Sequence, residues 1–344
     1  MSKKMKPADV RVGVIGYGGA FNMGKGHLTE LAAAGATPTA VCDLDKLRLT
    51  VAAQDFPGIG TFTSPAEMLK KSDADLIVII TPHNTHADLA VQCLKAGRHV
   101  VVEKPFAITT AECDKMIATA RKNGLLLSTY HNRHWDGCIL EAVDRIVTKG
   151  AIGEVVRIEA HMGSWGQPRD WWRTSKTISG GILFDWGVHL LEYTLQLVRS
   201  EIAEVSGFAK RGFWAAKTPW GKDTNEDEGF LTVRYAGGAW STLRISSIDS
   251  APPPGWVDVT GTEGAYRFDY KTYTQVTHKG PATVTETGNN RDSEHKKFYR
   301  NIVDHLCEGA KLVITPEWAR RPVHILDLAC QSAAKGKALP AKHK

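Results

Sequence analysis

The 344-residue sequence lacks any long apolar run. No stretch reaches the roughly 18 apolar residues that mark a membrane-spanning helix. The first ten residues contain lysines but neither an apolar core nor a small-residue cleavage site, so we expect no secretory signal peptide there. Internal repeats are also absent. These absences argue against a membrane protein and a repeat array, and they predict a globular protein of the cytoplasm.

Metal-binding cysteine patterns are missing as well. The six cysteines are scattered, with no Cys-x-x-Cys pair and no histidine at zinc spacing. Cys42 and Cys93 lie in apolar stretches typical of a core, and reduced structural thiols are the simplest interpretation. His131 and His134 stand three positions apart, but no carboxylate motif accompanies them. We therefore predict no metal site.

Outside its two ends the sequence has little net charge. Of its 43 Lys and Arg residues, seven are lysines in the first six and last ten positions, which leaves 36 basic against 37 acidic residues. A nucleic-acid binder concentrates positive charge on a folded face. We therefore predict no nucleic-acid partner, and we expect basic, disordered tails at 1–6 and 336–344.

Alternating strands and helices are what the first third of the chain does contain. Apolar runs at 11–15, 39–42, 75–80, 99–102 and 125–129 are separated by helical patterns closed by glycine. Such alternation predicts βαβ units and a parallel sheet. We expect an α/β fold in which residues 7–130 form a Rossmann domain with a doubly wound parallel sheet.

The pattern changes after a helix at 137–149. Strands dominate from Glu154, and the runs at 230–235 and 240–245 are joined by a glycine-containing hairpin signal. We expect residues 131–335 to form a second α/β domain with a large open, mostly antiparallel sheet. Helices at 185–198 and 295–308 should pack on one face of that sheet, and a last helix should span 316–334.

A glycine-rich turn follows the first strand and opens a helix. Gly16 and Gly18 fit the fingerprint of a dinucleotide site, in which glycines allow a tight turn and close approach of the pyrophosphate. The match is imperfect, because Phe21 stands where the third glycine belongs and Gly24 comes later. Any glycine-rich turn between a strand and a helix remains an alternative for this motif alone.

Asp43 ends the second strand. A carboxylate there accepts hydrogen bonds from the adenosine ribose and repels a 2′-phosphate, which favours NAD over NADP. Lys46 and Arg48 lie just beyond and weaken that preference. A helix cap is the alternative role for Asp43.

Two further motifs carry candidate chemistry. Glu103-Lys104-Pro105 follows the strand at 99–102, and ligands bind at the carboxyl ends of strands in open α/β sheets. Asp185 and His189, after Gly180-Gly181, are four apart and should share one helix face, where a carboxylate can orient a proton-transferring histidine. A surface ion pair and a helix cap are the structural alternatives.

Taken in order, these motifs resemble the glucose–fructose oxidoreductase / inositol dehydrogenase (Gfo/Idh/MocA) family. The resemblance rests on the glycine turn, the segment 81–86, Glu103-Lys104-Pro105 and the Asp185–His189 cluster, and it extends from Arg11 into the last helix. It implies hydride transfer between NAD(P) and a hydroxyl group of a sugar, polyol or related compound. The catalytic residues that it implies are Lys104, Asp185 and His189.

The resemblance and the motifs together give a set of candidate binding residues. For the cofactor these are Gly16, Gly18, Gly19, Ala20, Phe21, Asn22, Met23, Asp43, Thr81, Pro82, Asn84, His86, Glu103 and Lys104. For the substrate they are Arg133, Trp135, His161, Trp172 and Arg173, because tryptophan faces pack on sugar C–H groups and arginine binds hydroxyl or carboxylate groups. We expect NAD rather than NADP, a small sugar or polyol as the substrate partner, and a homodimer or homotetramer.

Two other functions stay open. One is a redox-neutral glycoside-cleaving enzyme that retains NAD and acts through a 3-keto intermediate. The other is a non-catalytic NAD-binding regulator, which the presence of Lys104, Asp185 and His189 disfavours.

Overall fold

The chain forms two compact units. The computed structural model describes residues 6–18 and 22–341. The first unit comprises the chain up to 132 together with 296–320, and the second comprises 133–295 together with the chain from 321 onward. The expected division into 7–130 and 131–335 differs from this one, because residues 296–320 belong to the first unit.

A parallel sheet organises the first unit. Its elements are β1 Arg11–Ile15, α1 Met23–Ala33, β2 Thr37–Cys42, α2 Lys46–Asp55, β3 Gly60–Phe62, α3 Pro65–Lys71, β4 Leu76–Ile79, α4 His86–Lys95, β5 His99–Val102, α5 Thr110–Asn123 and β6 Leu127–Thr129. All neighbouring strands are parallel, in the order β3-β2-β1-β4-β5-β6. This confirms the predicted Rossmann sheet. The strand order reverses between β1 and β4, where such sheets form a ligand crevice.

Burial explains why the strands of this sheet are continuous apolar runs. Every residue of β4 is buried, and so are Val100, Val101 and Val102 of β5. A parallel sheet with helices on both faces offers no solvent-facing side for polar residues. The polar residues therefore come where the strands end, and those ends carry the candidate site.

An antiparallel sheet organises the second unit. The elements that follow β6 are α6 Gly137–Ala142, β7 Val155–Gly163, α7 Lys176–Ser179, α8 Gly187–Leu197, β8 Ile202–Lys210, β9 Glu228–Tyr235, β10 Trp240–Ser246, β11 Val257–Gly261, β12 Gly264–Phe268, β13 Thr272–Lys279, β14 Ala282–Asn289, α9 Lys297–Glu308, α10 Pro316–Lys335 and β15 Leu339–Pro340. The nine strands run β14-β13-β12-β11-β7-β10-β9-β8-β15, and only β7 and β10 pair in parallel. The predicted open, mostly antiparallel sheet is confirmed.

The two faces of this sheet differ. Leu231 and Leu243 pair across β9 and β10 and are fully buried on the face that α8 covers, where Gly187 packs close to Leu243. On the opposite face Phe208 is 61% exposed and Trp240 is 38% exposed. The described helices of this unit therefore cover the face that carries Leu231 and Leu243, and Phe208 and Trp240 on the opposite face stay exposed.

Two expectations about the C-terminal part of the chain were wrong. Helix α9 belongs to the first unit, whereas it was expected in the unit that contains the second sheet. Residues 336–341 are not a disordered tail, because β15 pairs with β8 and Ser332 donates a hydrogen bond to the carbonyl of Lys337. The described helices include none that is long and apolar enough to span a membrane.

Candidate functional site

The glycine turn after β1 has the geometry of a phosphate cradle. Gly16 has a φ of +90°, and a Cβ there would collide with the carbonyl oxygen of Ile80. Gly18 has a φ of +64°, and a Cβ there would meet nothing within 4 Å. Gly16 is thus required because the chain after β4 approaches it closely. Gly18 leaves open space next to the backbone of the turn.

Gly24 supplies the third glycine of the fingerprint. It lies in the first turn of α1, and a Cβ there would stand 2.7 Å from Cα of Tyr17. The helix therefore packs against the turn in the way that the third fingerprint glycine permits. The chain enters α1 through Asn22 in a left-handed conformation, with Met23 as the first helical residue. The predicted contacts at Gly19, Ala20 and Phe21 lie outside the described residues.

Asp43 closes the cradle from the end of β2. Its Oδ2 accepts hydrogen bonds from the backbone N–H groups of Tyr17 at 2.8 Å and Gly18 at 3.0 Å, and its Oδ1 accepts one from Asp45 at 2.9 Å. A carboxylate has about four lone-pair positions, so Asp43 keeps acceptor capacity for ribose hydroxyl groups. Open glycine backbone, the N–H groups at the start of α1 and this carboxylate together fit a dinucleotide.

Thr81 and its neighbours form a short turn after β4. Thr81 lies beside Gly16, and its hydroxyl is 2.6 Å from that of Thr85. Asn84 is exposed and Pro82 is partly exposed, so both are accessible as predicted cofactor contacts.

His86 does not line an open wall, contrary to expectation. It is fully buried, with Nδ1 2.8 Å from the carbonyl oxygen of Pro105 and Nε2 2.8 Å from that of Thr81. Carbonyl oxygens only accept, so the ring nitrogen that carries the proton donates to the carbonyl beside it, and the other nitrogen lies against the second carbonyl. His86 therefore contacts both the turn after β4 and the turn after β5, and it helps to hold these two turns of the candidate site together.

Glu103 also differs from its predicted role as a cofactor contact. Its Oε2 accepts the backbone N–H of Lys104 at 2.9 Å, and its Oε1 lies 2.9 Å from Nε2 of His27. Nε2 must donate to the carboxylate, so the tautomer that satisfies both ring nitrogens has Nδ1 accepting from the hydroxyl of Tyr299. Glu103 thus positions the backbone of Lys104 through helices α1 and α9.

The electrostatics of Glu103 support this role. Burial alone would raise the pKa of its carboxyl, but the hydrogen bond from His27 and the positive charge of the nearby Lys104 outweigh burial. The net effect is a lowered pKa, so the carboxylate stays charged. Lys104 itself lies at the end of β5 and is partly exposed, as predicted.

In the second unit the structure places Asp185 before helix α8, not on it. Asp185 follows a 3-10 turn at 182–184, and α8 begins at Gly187. The two candidates therefore do not share a helix face, although His189 does lie in the first turn of α8. Asp185 instead forms an ion pair with Arg173, which lies over the rings of Trp171 and Trp172. Arg173, Trp172 and Asp185 form one cluster.

Arg133 and His189 both contact the ring of Trp186. Its guanidinium lies 4.8 Å from the ring centroid of Trp186, and that ring packs edge-on against His189 at 5.6 Å between centroids. The side chain of Arg133 is 27% exposed, which leaves part of its N–H fork accessible. Sequence reasoning missed Trp186, although it stands between Asp185 and Gly187.

His161 and Trp135 are not placed with these residues as expected. His161 shares a row across the sheet with Phe230 and Phe208, on the face opposite α8, and its Nε2 donates to the carbonyl of Pro253 at 2.9 Å. Trp135 is 7% exposed and buried in its own unit. The surroundings of both residues therefore indicate a structural role. The alternation of side chains along β7 places His161 and Ala160 on opposite faces of the sheet. It does not show which of the two faces binds a ligand.

Among residues 6–18 and 22–341, no group of three or more His, Cys, Asp or Glu side chains is arranged to hold a metal ion.

Comparison with known families matches both units. Residues 10–131 match the model described as "Oxidoreductase family, NAD-binding Rossmann fold", and residues 140–267 match the "GFO/IDH/MocA C-terminal domain". The matched ranges cover most of the chain, and they contain Gly16, Lys104, Asp185 and His189.

Curated relatives and solved structures agree with these matches. The chain is 35% identical over 190 residues to the uncharacterized oxidoreductase YdgJ of Escherichia coli, and that alignment spans about half of each protein, 55% of this chain and 54% of YdgJ. It is 24% identical to scyllo-inositol 2-dehydrogenase (NADP(+)) IolW of Bacillus subtilis, over 99% of this chain and 98% of that one. A levoglucosan dehydrogenase solved with NADH and levoglucosan has the same fold, with a TM-score of 0.83 at 19% identity over 97% and 100% of the two chains.

Proposed function

Because this chain belongs to the Gfo/Idh/MocA family of oxidoreductases, we propose that it transfers a hydride between NAD and a secondary hydroxyl group of a sugar or polyol. The observation that carries the proposal is the position of Lys104 at the end of β5, held by Glu103 in the same unit as the glycine cradle. The relatives support the substrate class, since IolW is named for an inositol and a structural neighbour binds levoglucosan.

The proposed cofactor site consists of Gly16, Gly18, Gly24 and Asp43. The open backbone at Gly18 and the start of α1 receive the pyrophosphate, and the carboxylate of Asp43 accepts from the ribose. That carboxylate disfavours a 2′-phosphate, which supports NAD over NADP. When bound, the nicotinamide accepts or supplies the hydride.

The protein's own residues handle the proton. Oxidation of a secondary alcohol releases the hydroxyl proton as the hydride leaves the same carbon, and we assign the hydrogen bond to that oxygen to Lys104. His189 serves as the general acid or base. Asp185, whose charge is paired with Arg173, orients the group, and Arg133 and Trp172 bind substrate hydroxyl groups. We also propose a homo-oligomer in the cytoplasm.

A panel of sugars and polyols with NAD⁺ and NADP⁺ tests the proposal, with NADH absorbance as the measurement. We expect net NADH formation with at least one substrate and a preference for NAD⁺. Lys104→Ala should lower kcat by about 10²–10³-fold, the usual effect of losing one hydrogen-bond donor to an oxygen on which charge develops. Lys95→Ala, which removes an exposed lysine at the end of α4, is the matched control and should leave kcat unchanged.

The same panel separates the other functions. Purified protein that carries NAD and cleaves glycosides without net NADH formation would indicate the redox-neutral enzyme. Protein that binds NADH but turns over neither class of substrate, and whose cellular function survives Lys104→Ala, would overturn the enzyme proposal in favour of a regulator.

A further inference from the structure

A buried carboxylate lies behind Arg133. Asp136 is fully buried, and three side chains donate to it. Arg133 donates from Nη1 to Oδ2 at 2.8 Å, the hydroxyl of Tyr193 donates to the same oxygen, and Nε2 of His295 donates to Oδ1. All four residues belong to the second unit. Asp136 is therefore a junction between the turn before α6, helix α8 and the segment that ends at 295.

Neighbouring contacts hold the whole turn in register. The backbone N–H of Gly137 donates to the hydroxyl of Ser293 at 3.0 Å, and the N–H of Glu294 donates to the carbonyl of Trp135 at 2.8 Å. A Cβ at position 137 would collide with the carbonyl oxygen of Arg291, so the two segments need glycine here to approach this closely. The turn that carries Arg133 is thus bonded at three successive positions.

Asp136 remains ionised in these surroundings. Burial alone would raise its pKa, but the hydrogen bonds from His295 and Tyr193 and the charge of Arg133 outweigh burial, and the pKa is lowered. A helix cap would explain an aspartate before α6, yet the side chain of Asp136 makes no capping hydrogen bond to that helix. Its carboxylate instead accepts hydrogen bonds from side chains of other segments.

We propose that Asp136, together with Tyr193 and His295, is a positioning group that fixes the guanidinium of Arg133 over Trp186 and so sets where a substrate oxygen binds. Two constraints define the orientation of the guanidinium: the bond from Nη1 to Asp136 and the stack on Trp186 at 4.8 Å. A guanidinium has five N–H groups, and Asp136 accepts from Nη1 while 27% of the Arg133 side chain is exposed, so donors remain for substrate oxygens. The proposal rests on the function proposed above, since it gives Arg133 the substrate contact.

Kinetics with the substrate that the panel identifies provide the first test. Tyr193→Phe and Asp136→Asn should each raise KM, by about tenfold for the loss of an aligned charged hydrogen bond. The value of kcat should stay within about threefold, and the affinity for NADH should not change, because Arg133 contacts substrate only. Tyr193→Phe removes only one oxygen from a buried ring. Its KM can therefore still be measured if Asp136→Asn folds poorly.

Combining variants distinguishes positioning from a general structural role. On an Arg133→Ala background, Tyr193→Phe should raise KM no further, because the group that it positions is gone. Additive effects of the two changes would overturn the proposal. So would a change in thermal stability alone, with KM unaltered. Glu141→Gln is the matched control, since Glu141 also pairs with an arginine, Arg145, in the same unit.

A second measurement needs no substrate. Labelling of Arg133 by phenylglyoxal, followed by peptide mass spectrometry, reports how firmly its guanidinium is held. We expect Asp136→Asn and Tyr193→Phe to speed this labelling several-fold, as for a side chain released from a charged hydrogen bond, and Glu141→Gln to leave it unchanged. Equal labelling rates in the parent and both variants would overturn the proposal, whereas an inactive panel with faster labelling would count against the proposed function only.

Discussion

Single buried side chains determine the backbone around the candidate lysine. Glu103 contacts both His27 and the N–H of Lys104, so one carboxylate links helix α1 with the end of β5. His86 joins the same region from the other side through two carbonyl oxygens. Lys104 therefore stands on a peptide whose position is set by side chains that need not touch a substrate.

The charge of Glu103 makes the stability of the protein depend on pH. Its pKa is lowered in the folded state, so its contribution is present above the unfolded pKa of about 4.3 and is lost as the pH falls below it. We expect Glu103→Gln to lower the free energy of unfolding at pH 7, and this deficit to shrink below about pH 4. Urea unfolding at several pH values measures the difference.

A surface carboxylate provides the control for that experiment. Glu67→Gln removes one partner of an exposed pair with Lys71 and should leave the unfolding curve nearly unchanged. A deficit of Glu103→Gln that stays constant down to pH 3 would contradict the charged-state explanation.

Gly24 and Gly26 offer a second matched comparison. A Cβ at Gly24 would stand 2.7 Å from Cα of Tyr17, whereas a Cβ at Gly26 would meet nothing within 4 Å. Gly24→Ala should cost about 1–3 kcal/mol of unfolding free energy through overpacking and should weaken NADH binding several-fold, because α1 must move away from the turn. Gly26→Ala should be neutral or stabilising, since alanine favours a helix. Equal NADH affinities in the two variants, measured by fluorescence titration, would contradict this role of Gly24.

These residues show what the sequence could and could not indicate. Gly16, Asp43 and Lys104 were identified because each follows a strand in an alternating pattern, and strand ends meet at one edge of a parallel sheet. The partners His27 and Tyr299 are separated by 272 positions, and no spacing rule connects them. Their pairing follows from the path of the chain through three dimensions, which local patterns do not record.

At the scale of elements, helix α9 completes the first unit. Tyr299 of α9 is buried against the rings of His27 and Tyr130, with centroid separations of 5.8 Å and 5.4 Å. Ser128 of β6 donates to the carbonyl of Ile314, which also comes from the returning segment. The Rossmann sheet is thus packed partly by residues that follow the first segment of the second unit, 133–295, in sequence.

Removing one hydroxyl group tests this contribution. Tyr299→Phe leaves Nδ1 of the buried His27 without its partner, and we expect a loss of about 1–3 kcal/mol in unfolding free energy. Tyr270→Phe, at a position 41% exposed, is the control and should change little. If the two variants unfold at the same urea concentration, the Tyr299 hydroxyl does not stabilise the unit.

The elements themselves were largely predictable, but their grouping was not. Strand β5 has the bounds, 99–102, that its apolar run predicted. Helix α9 was also predicted, yet it was assigned to the sheet beside it in sequence. An amphipathic helix shows that it has an apolar face, but not which surface covers that face. Asp185 and His189 were expected on one helix face for a different reason: a spacing of four residues does not show that a 3-10 turn at 182–184 comes first and that α8 begins only at Gly187.

At the scale of the whole molecule, one face of the second sheet carries exposed apolar side chains. Phe208 and Trp240 on that face are exposed, together with charged neighbours such as Arg234. We expect this face to pair with a second copy of the chain, as in the predicted homodimer or homotetramer. Exposed large apolar side chains on a broad sheet favour association.

Phe208→Glu tests the pairing of copies. A buried charge in the interface should shift the protein to a smaller species in size-exclusion chromatography with light scattering. Val313→Glu places the same charge at a position 42% exposed in the first unit and serves as the control. An unchanged mass for Phe208→Glu would place the contact between copies elsewhere.

The discontinuous path of the first unit also has a consequence during synthesis. A ribosome that has completed β6 at residue 129 must still add residues 133–295, the larger part of the second unit, before α9 emerges. At about 5–20 residues per second, this interval lasts roughly ten seconds or longer. During this interval His27 and Tyr130 lack their contacts with Tyr299, and the nascent Rossmann sheet keeps an apolar surface uncovered. Chaperones that hold exposed apolar surface therefore have a window in which to act on this chain, and a transcript truncated before residue 296 yields a first unit that cannot be completed.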